Sequence, residues 1–227
     1  HMYIKFGITK TLSMLNGEFA FALYDTKEDI IYLARDPMGV RSLYFATALP
    51  FNNEILFGSE LKMISPLNYN NLFHVEQFKP ATYTTLKRSI DDSKWCIITK
   101  DNHYYYNIPK TVASYDIDEN YCLKQIRDTL TSCVKRRVTT TERPVACLLS
   151  GGLDSSLITA LVAKEYKKGQ LETFSIGMEG SEDLKYAQKV ADWIGTKHTQ
   201  FVLTENEFFS AIPEVIAAIE SYDTTTV

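Results

Sequence analysis

Large and small apolar residues alternate through Phe19-Ala20-Phe21-Ala22-Leu23-Tyr24, the pattern of a strand buried on one face. The polar cluster Asp25-Thr26-Lys27-Glu28-Asp29 then reads as a turn, and Ile30-Ile31-Tyr32-Leu33-Ala34 as a second strand. Asp36-Pro37-Met38-Gly39 supplies turn residues, with proline fixing φ and glycine free to take positive φ. Ser42 to Thr47 and Glu54 to Ser59 read as a third and a fourth strand, so the four together predict an antiparallel meander. Further β-like runs lie at Tyr83-Thr84-Thr85-Leu86 and Cys96-Ile97-Ile98-Thr99. No catalytic set stands out here. Arg35-Asp36 reads as a surface ion pair or turn stabiliser before a site, and His74 and His103 are histidines without partners. Tyr104-Tyr105-Tyr106 is read as packing near a domain junction, and Asn107-Ile108-Pro109-Lys110 as the linker.

Beyond the linker the period changes. Leu123, Ile126, Leu130, Cys133/Val134 and Val138 recur at helical spacing, and Lys135-Arg136-Arg137 suits the end of that helix. Pro144-Val145-Ala146-Cys147-Leu148-Leu149 is a continuous apolar run, as in a central parallel strand covered on both faces. It leads directly into Ser150-Gly151-Gly152-Leu153-Asp154-Ser155-Ser156, and a helix is expected from Leu157 onward. Strand, glycine-rich loop and helix make a phosphate site, because free N–H groups and the positive end of the helix dipole converge there. The loop lacks the Gly-Lys-Ser/Thr ending of the common P-loop and is no dinucleotide fingerprint. Asp154 would repel bare polyphosphate, so it reads either as a Mg²⁺ ligand bridging to phosphates or as a helix cap.

Thr173 to Met178 reads as the next strand, Leu184 to Ile194 as a helix closed by Gly195, and His198 to Leu203 as a third strand. Thr204 with Glu207 forms a capping box for a last helix, which Pro213 kinks or restarts. The order βαβαβα predicts a parallel sheet that binds ligands at the carboxyl ends of its strands. The backbone at Ile176 and Gly177 falls at that edge, where it either holds an adenine ring or simply ends the strand. Trp193 is read as packing and His198 as structural.

Composition narrows the class. The 227 residues are 45% hydrophobic and 23% charged, as in ordinary globular chains. A net charge of -4 argues against nucleic-acid or anionic-membrane binding, and no apolar run approaches the ~20 residues of a membrane helix. Cys96, Cys122, Cys133 and Cys147 form no CxxC pair, so they read as reduced thiols of a cytoplasmic protein. Cys147, inside its apolar run, reads as a small core residue.

The loop Ser150–Ser156 after an apolar strand resembles the pyrophosphate loop of N-type ATP pyrophosphatases. Phe174-Ser175-Ile176-Gly177, Gly180-Ser181-Glu182-Asp183-Leu184-Lys185, Ala191-Asp192-Trp193-Ile194-Gly195-Thr196-Lys197-His198 and Ile219-Glu220-Ser221-Tyr222-Asp223 are similar to glutamine-hydrolysing asparagine synthetases. Leu15-Asn16-Gly17-Glu18-Phe19-Ala20-Phe21-Ala22-Leu23-Tyr24-Asp25, Ala34-Arg35-Asp36-Pro37-Met38-Gly39-Val40-Arg41 and Ser59-Glu60-Leu61-Lys62 resemble the later part of that family's glutaminase domain. The resemblance implies residues 1–110 as the antiparallel, β-rich C-terminal part of an Ntn-type glutaminase domain. It implies residues 111–227 as the first βαβαβα part of a parallel-sheet ATP pyrophosphatase domain.

By the same resemblance, Leu148, Leu149, Ser150, Gly151, Gly152, Leu153, Asp154, Ser155 and Ser156 bind ATP, Ile176 contacts the adenine, with Gly177 counted beside it from its place at the strand edge, and Asp154 holds Mg²⁺. The implied reaction amidates aspartate to asparagine with ammonia from glutamine, releasing AMP and pyrophosphate. The family's N-terminal cysteine nucleophile and its second loop, Ser-Gly-Glu-Gly-Ser-Asp-Glu, have no counterpart in this stretch, and Ser42 stands where the family usually has proline. The expectation is an internal piece of such an enzyme, unable to use glutamine or to make asparagine alone. Apolar surface left bare by absent segments predicts dimerisation or aggregation. A rival ligase with the same loop is a β-lactam synthetase; a rival of another class is a non-catalytic chain that binds nucleotide or a partner.

Overall fold

Alternation in the first half builds two antiparallel sheets instead of one meander. The structure, a computed structural model, describes residues 1–48, 54–68, 72–88, 95–97, 103–107 and 118–221. The chain divides into two compact units, His1–Val112 and Ala113–Val227.

In the first unit, β1 (Ala20–Asp25) and β2 (Ile30–Arg35) form a hairpin in register from Ala20↔Arg35 to Asp25↔Ile30. The Asp25 carboxylate accepts the N–H groups of Lys27 and Glu28 and so holds its turn. The expected pairing of β2 with the third strand is absent. β3 (Tyr44–Ala48) lies instead between β4 (Ile55–Gly58) and β5 (Phe73–Gln77) in a separate sheet. The other edge of β2 is taken by β6 (Thr82–Arg88), which also pairs β7 (Trp95–Ile97) and β8 (His103–Tyr104).

The cause lies at Arg35-Asp36, which is neither on the surface nor an ion pair of the ordinary kind. The two residues are 4% and 1% exposed. The Arg35 guanidinium donates to the carbonyls of Gly39, Phe78 and Arg41 at 2.6, 2.6 and 2.7 Å. The Asp36 carboxylate accepts the N–H groups of Met38, Val40 and Arg41, each at 3.0 Å. Together they turn the chain out of the first sheet and tie it to the second. Leu33, Leu43, Phe45, Phe78 and Leu86 pack as one core across the two sheets.

An unpredicted helix, α1 (Met2–Met14), is broken at Gly7 (φ +72°) and buries Thr11 and Leu12. α2 (Leu61–Ile64) runs into a short 3₁₀ turn. Of the tyrosine run, Tyr105 packs as expected, its hydroxyl donating to the Arg35 carbonyl, while Tyr104 is exposed. Residues 108–110 of the expected linker, and Ile98 and Thr99, lie outside the described residues.

The second unit follows the expected order. α3 (Glu119–Thr140) starts at Asp118, whose side chain accepts the Asn120 N–H, and runs past Lys135-Arg136-Arg137. β9 (Ala146–Leu148), β10 (Glu172–Met178) and β11 (Lys197–Leu203) are parallel, with β10 between the other two. α4 (Leu153–Glu165) and α5 (Glu182–Ile194) connect them. Gly195 closes α5 at φ +82°, and α6 (Glu205–Ile219) starts at the predicted Thr204–Glu207 capping box. Pro213 sits within a continuous helix and does not restart it.

Two readings are corrected. Among the described residues β9 pairs only β10 and so is an edge strand, not a central one, and Leu148 is 84% exposed. Among the described residues nothing covers the sheet face that carries Leu148, whereas Leu149 on the opposite face packs with Ala187 and Ala191 of α5. Trp193 is 83% exposed, because it sits on the outer side of α5, away from Leu184, Ala187 and Ala191.

Candidate functional site

The glycine loop is shorter than its motif. α4 begins at Leu153, so the true loop is Ser150–Gly152, and Leu153 to Ser156 form the first helical turn. The Leu149 N–H donates to the Phe174 carbonyl at 2.8 Å, which pins the end of β9 to β10. Ser150 Oγ and Ser155 Oγ lie 2.9 Å apart, Ser155 Oγ accepts the Ser150 N–H, and the loop closes on itself. No side chain caps the α4 N-terminus, so the positive end of its dipole faces the loop. Asp154 is therefore not the helix cap; that position is Gly152.

Gly151 is required twice. Its φ is +81°, and a Cβ there would stand 2.5 Å from the Ala187 nitrogen. Glycine lets the loop rest on the backbone of α5. Gly177 plays a milder version of this part, since a Cβ there would lie 3.0 Å from Leu184 Cγ.

A cavity of about 560 Å³ opens at the carboxyl ends of the strands, lined by Leu148, Leu149, Ser150, Ser155, Phe174, Ser175, Ile176, Asp183 and Phe201. Five of the residues singled out from the sequence thus share one cavity: Leu148, Leu149, Ser150, Ser155 and Ile176. Phe174, Ser175, Asp183 and Phe201 were missed as site residues. The signal for two of them was available, because Phe174, Ile176 and Phe201 fall on one sheet face by alternation and register. The rings of Phe174 and Phe201 stack with centroids 6.3 Å apart, beside Ile176, and form an apolar wall. Gly151, Gly152, Leu153, Asp154, Ser156 and Gly177 do not line this cavity. Asp154 faces a second cavity of about 830 Å³ between α3, α4 and β9, and Leu148 and Ser155 border both.

Beneath the wall, His198 bonds two hydroxyls of β10. Its Nδ1 lies 2.9 Å from Thr173 Oγ1, and its Nε2 3.0 Å from Ser175 Oγ. Burial holds the ring's pKa below the ordinary histidine value. Burial likewise pushes the Cys147 thiol up, which fits its reading as a small core residue. Asp183 follows Glu182 in the first turn of α5, and Lys185 pairs with Glu182 at 2.6 Å. Among the described residues no group of three His, Cys, Asp or Glu side chains could hold a metal ion. Among them also, no helix is long and apolar enough to cross a membrane.

Residues 125–227 match the family model for asparagine synthase, and residues 1–66 match that for a glutamine amidotransferase domain. In both stretches the chain resembles the asparagine synthetases. Its whole length aligns with the glutamine-hydrolysing asparagine synthetases of Homo sapiens and Gallus gallus at 37% identity, and of Mus musculus at 36%. The chain spans 42% of the length of these curated relatives. Among solved structures, an NH3-dependent NAD synthetase from Campylobacter jejuni matches at 17% identity and a TM-score of 0.32, covering 44% of this chain and 42% of that one. The likeness to the asparagine synthetases is one of sequence and runs through both matched stretches.

Proposed function

We propose that the second unit binds ATP and is the nucleotide-binding core of a glutamine-hydrolysing asparagine synthetase. The carrying observation is the cavity that joins an apolar wall to an uncapped helix start across a glycine loop. Adenine lies against Leu148, Phe174, Ile176 and Phe201, and the phosphates reach the Ser150–Ser156 segment. There the dipole of α4 and the hydroxyls of Ser150 and Ser155 favour negative charge without adding a fixed cation. Asp183, the one carboxylate among the described residues that line the cavity, faces the sugar hydroxyls.

Asp154 fits a Mg²⁺ held mainly through phosphates, since that ion needs only one or two protein carboxylates. When bound, it supplies charge neutralisation for the departing pyrophosphate. In the reaction, an aspartate side-chain oxygen attacks the α-phosphorus and expels pyrophosphate. Ammonia then attacks the acyl carbon, AMP leaves, and a proton is lost to give the amide. The helix start favours the charge that grows on the pyrophosphate, while the buried anchoring of Leu149 and Gly151 holds the loop in place. Residues 1–110 form part of an Ntn-type glutaminase domain, whose parent enzyme supplies the ammonia. Residues 111–227 form the beginning of an ATP pyrophosphatase domain.

Calorimetric titration with ATP, with and without Mg²⁺, tests this. Saturable binding is expected, with its Mg²⁺ dependence lost in Asp154→Ala. AMP release with L-aspartate and ammonia reads the chemical step. Absence of nucleotide binding at millimolar ATP, with the chain folded, overturns the proposal.

A further inference from the structure

His198 is more than a packed ring. Both of its nitrogens meet hydroxyls on β10, and Thr173 Oγ1 also lies 2.8 Å from Thr196 Oγ1. Thr173 is fully buried and Ser175 is 7% exposed. Ser175 and its neighbours Phe174 and Ile176 are cavity wall. Two register pairs along, on the same sheet face, Gln200 donates to the Leu184 carbonyl, so β11 is fastened to α5 next to the ring.

We propose that His198 is a positioning residue for the nucleotide cavity: its neutral ring clamps the middle of β10 through Ser175, and protonation releases the clamp. The inference rests on the ATP reading above. A neutral imidazole has one donor and one acceptor nitrogen. One of its two hydroxyl partners must therefore donate and the other accept. The four groups Ser175, His198, Thr173 and Thr196 then form a chain of hydrogen bonds running in a single direction. Protonation makes both nitrogens donors. When the chain runs from Ser175, that hydroxyl loses the acceptor it had and must reorient at the cavity wall.

No carboxylate bonds the ring to compensate the new charge. β10 offers it the Thr173 and Ser175 hydroxyls and a backbone hydrogen bond at Thr173, which favours the charged ring less than burial opposes it. From α5, Asp192 acts only through space. Glu172 and Lys197, on the opposite sheet face, are paired with each other at 2.7 Å, and their charges offset. Burial of the ring therefore works against the charged form, in keeping with its lowered pKa.

Two measurements on the 227-residue chain test the clamp. NMR titration between about pH 5 and 8 follows the His198 ring together with the amides of Phe174, Ser175 and Ile176. Adenosine serves as the binding probe because it carries no phosphate to titrate. The three amides are expected to shift with the ring's own midpoint. Adenosine affinity is expected to fall by about tenfold in acid, and to stay flat in His198→Gln, whose amide keeps a donor and an acceptor without titrating. Amides that ignore the ring, or an unchanged pH dependence in His198→Gln, overturn the proposal. Where the amides follow the ring but neither adenosine nor ATP binds at any pH, the clamp stands and the ATP reading alone falls. The amide titration needs no substitution, so a variant that fails to fold does not blunt the test.

Discussion

Gly151 and Gly152 are neighbours with opposite tolerances. Gly151 has φ +81° and no room for a Cβ beside Ala187, whereas Gly152 has φ -70° and meets nothing nearer than Ser150 Oγ at 3.5 Å. Gly151→Ala is expected to cost about 2 kcal/mol or more and to abolish ATP binding, because strain and overlap add. Gly152→Ala is expected to change stability by less than about 1 kcal/mol, since alanine accepts that backbone. Urea unfolding and ATP titration of both variants check this, and equal effects from the two would refute it.

Arg35 and Asp36 set a second contrast. Arg35→Lys keeps the charge but loses the planar fork that reaches three carbonyls, so a loss of about 2–3 kcal/mol is expected in urea unfolding. Burial pushes the Asp36 carboxyl up, but the N–H groups of Arg41, Val40 and Met38 outweigh it and hold its pKa below the usual range. A carboxylate depressed in this way adds stability above its unfolded pKa. That contribution drains away as pH falls through the lower folded value. Asp36→Asn is expected to flatten this acid-side slope between about pH 4 and 2. Neither residue's burial was legible in the sequence, because a charged pair before proline looks alike at a surface turn and at a buried one.

At the scale of elements, local signals carried far and partner choice did not. Alternation found β1 and β2, and the βαβαβα order of the second unit emerged from its changes of period. The Thr204–Glu207 box and Gly195 marked two helix ends, as the structure has them. Alternation is blind to which strand sits beside which. The lock at Arg35-Asp36 sends β3 to another sheet through bonds to Gly39, Arg41 and Phe78, the last of them distant in sequence. The apolar run of β9 likewise describes what could cover both faces, not what does. α1 went unread because Gly7 interrupts it and its exposed Ile4 blurs any stripe. Of the site, the sequence disclosed the loop and Ile176 and, through alternation, the face of Phe174 and Phe201, while Asp183 stands on α5, a helix whose place beside the loop no local pattern discloses. Thr204→Ala removes an acceptor from the Glu207 N–H and is expected to cost about 1 kcal/mol. Hydrogen exchange should then quicken first in the opening turn of α6; unchanged protection there would show that the helix does not depend on its box.

The whole molecule consists of two units whose cores are built from different residues, Leu33 to Leu86 in one and Val134 to Ala191 in the other. A ligand that binds only the folded form raises that form's stability by mass action, by about 2.7 kcal/mol at a hundred times its Kd. ATP, held by residues of the second unit alone, should therefore lift only the transition that melts the second core. In scanning calorimetry the wild-type chain is expected to show two components. Mg-ATP raises one of them, and Gly151→Ala lowers that same component and cancels the rise. Arg35→Lys lowers the other and leaves the nucleotide response intact, because the lost guanidinium bonds all lie in the first unit. A single cooperative transition that moves as one with every substitution would show that the two cores melt together. A rise confined to the first unit's component would remove nucleotide binding from the glycine loop altogether.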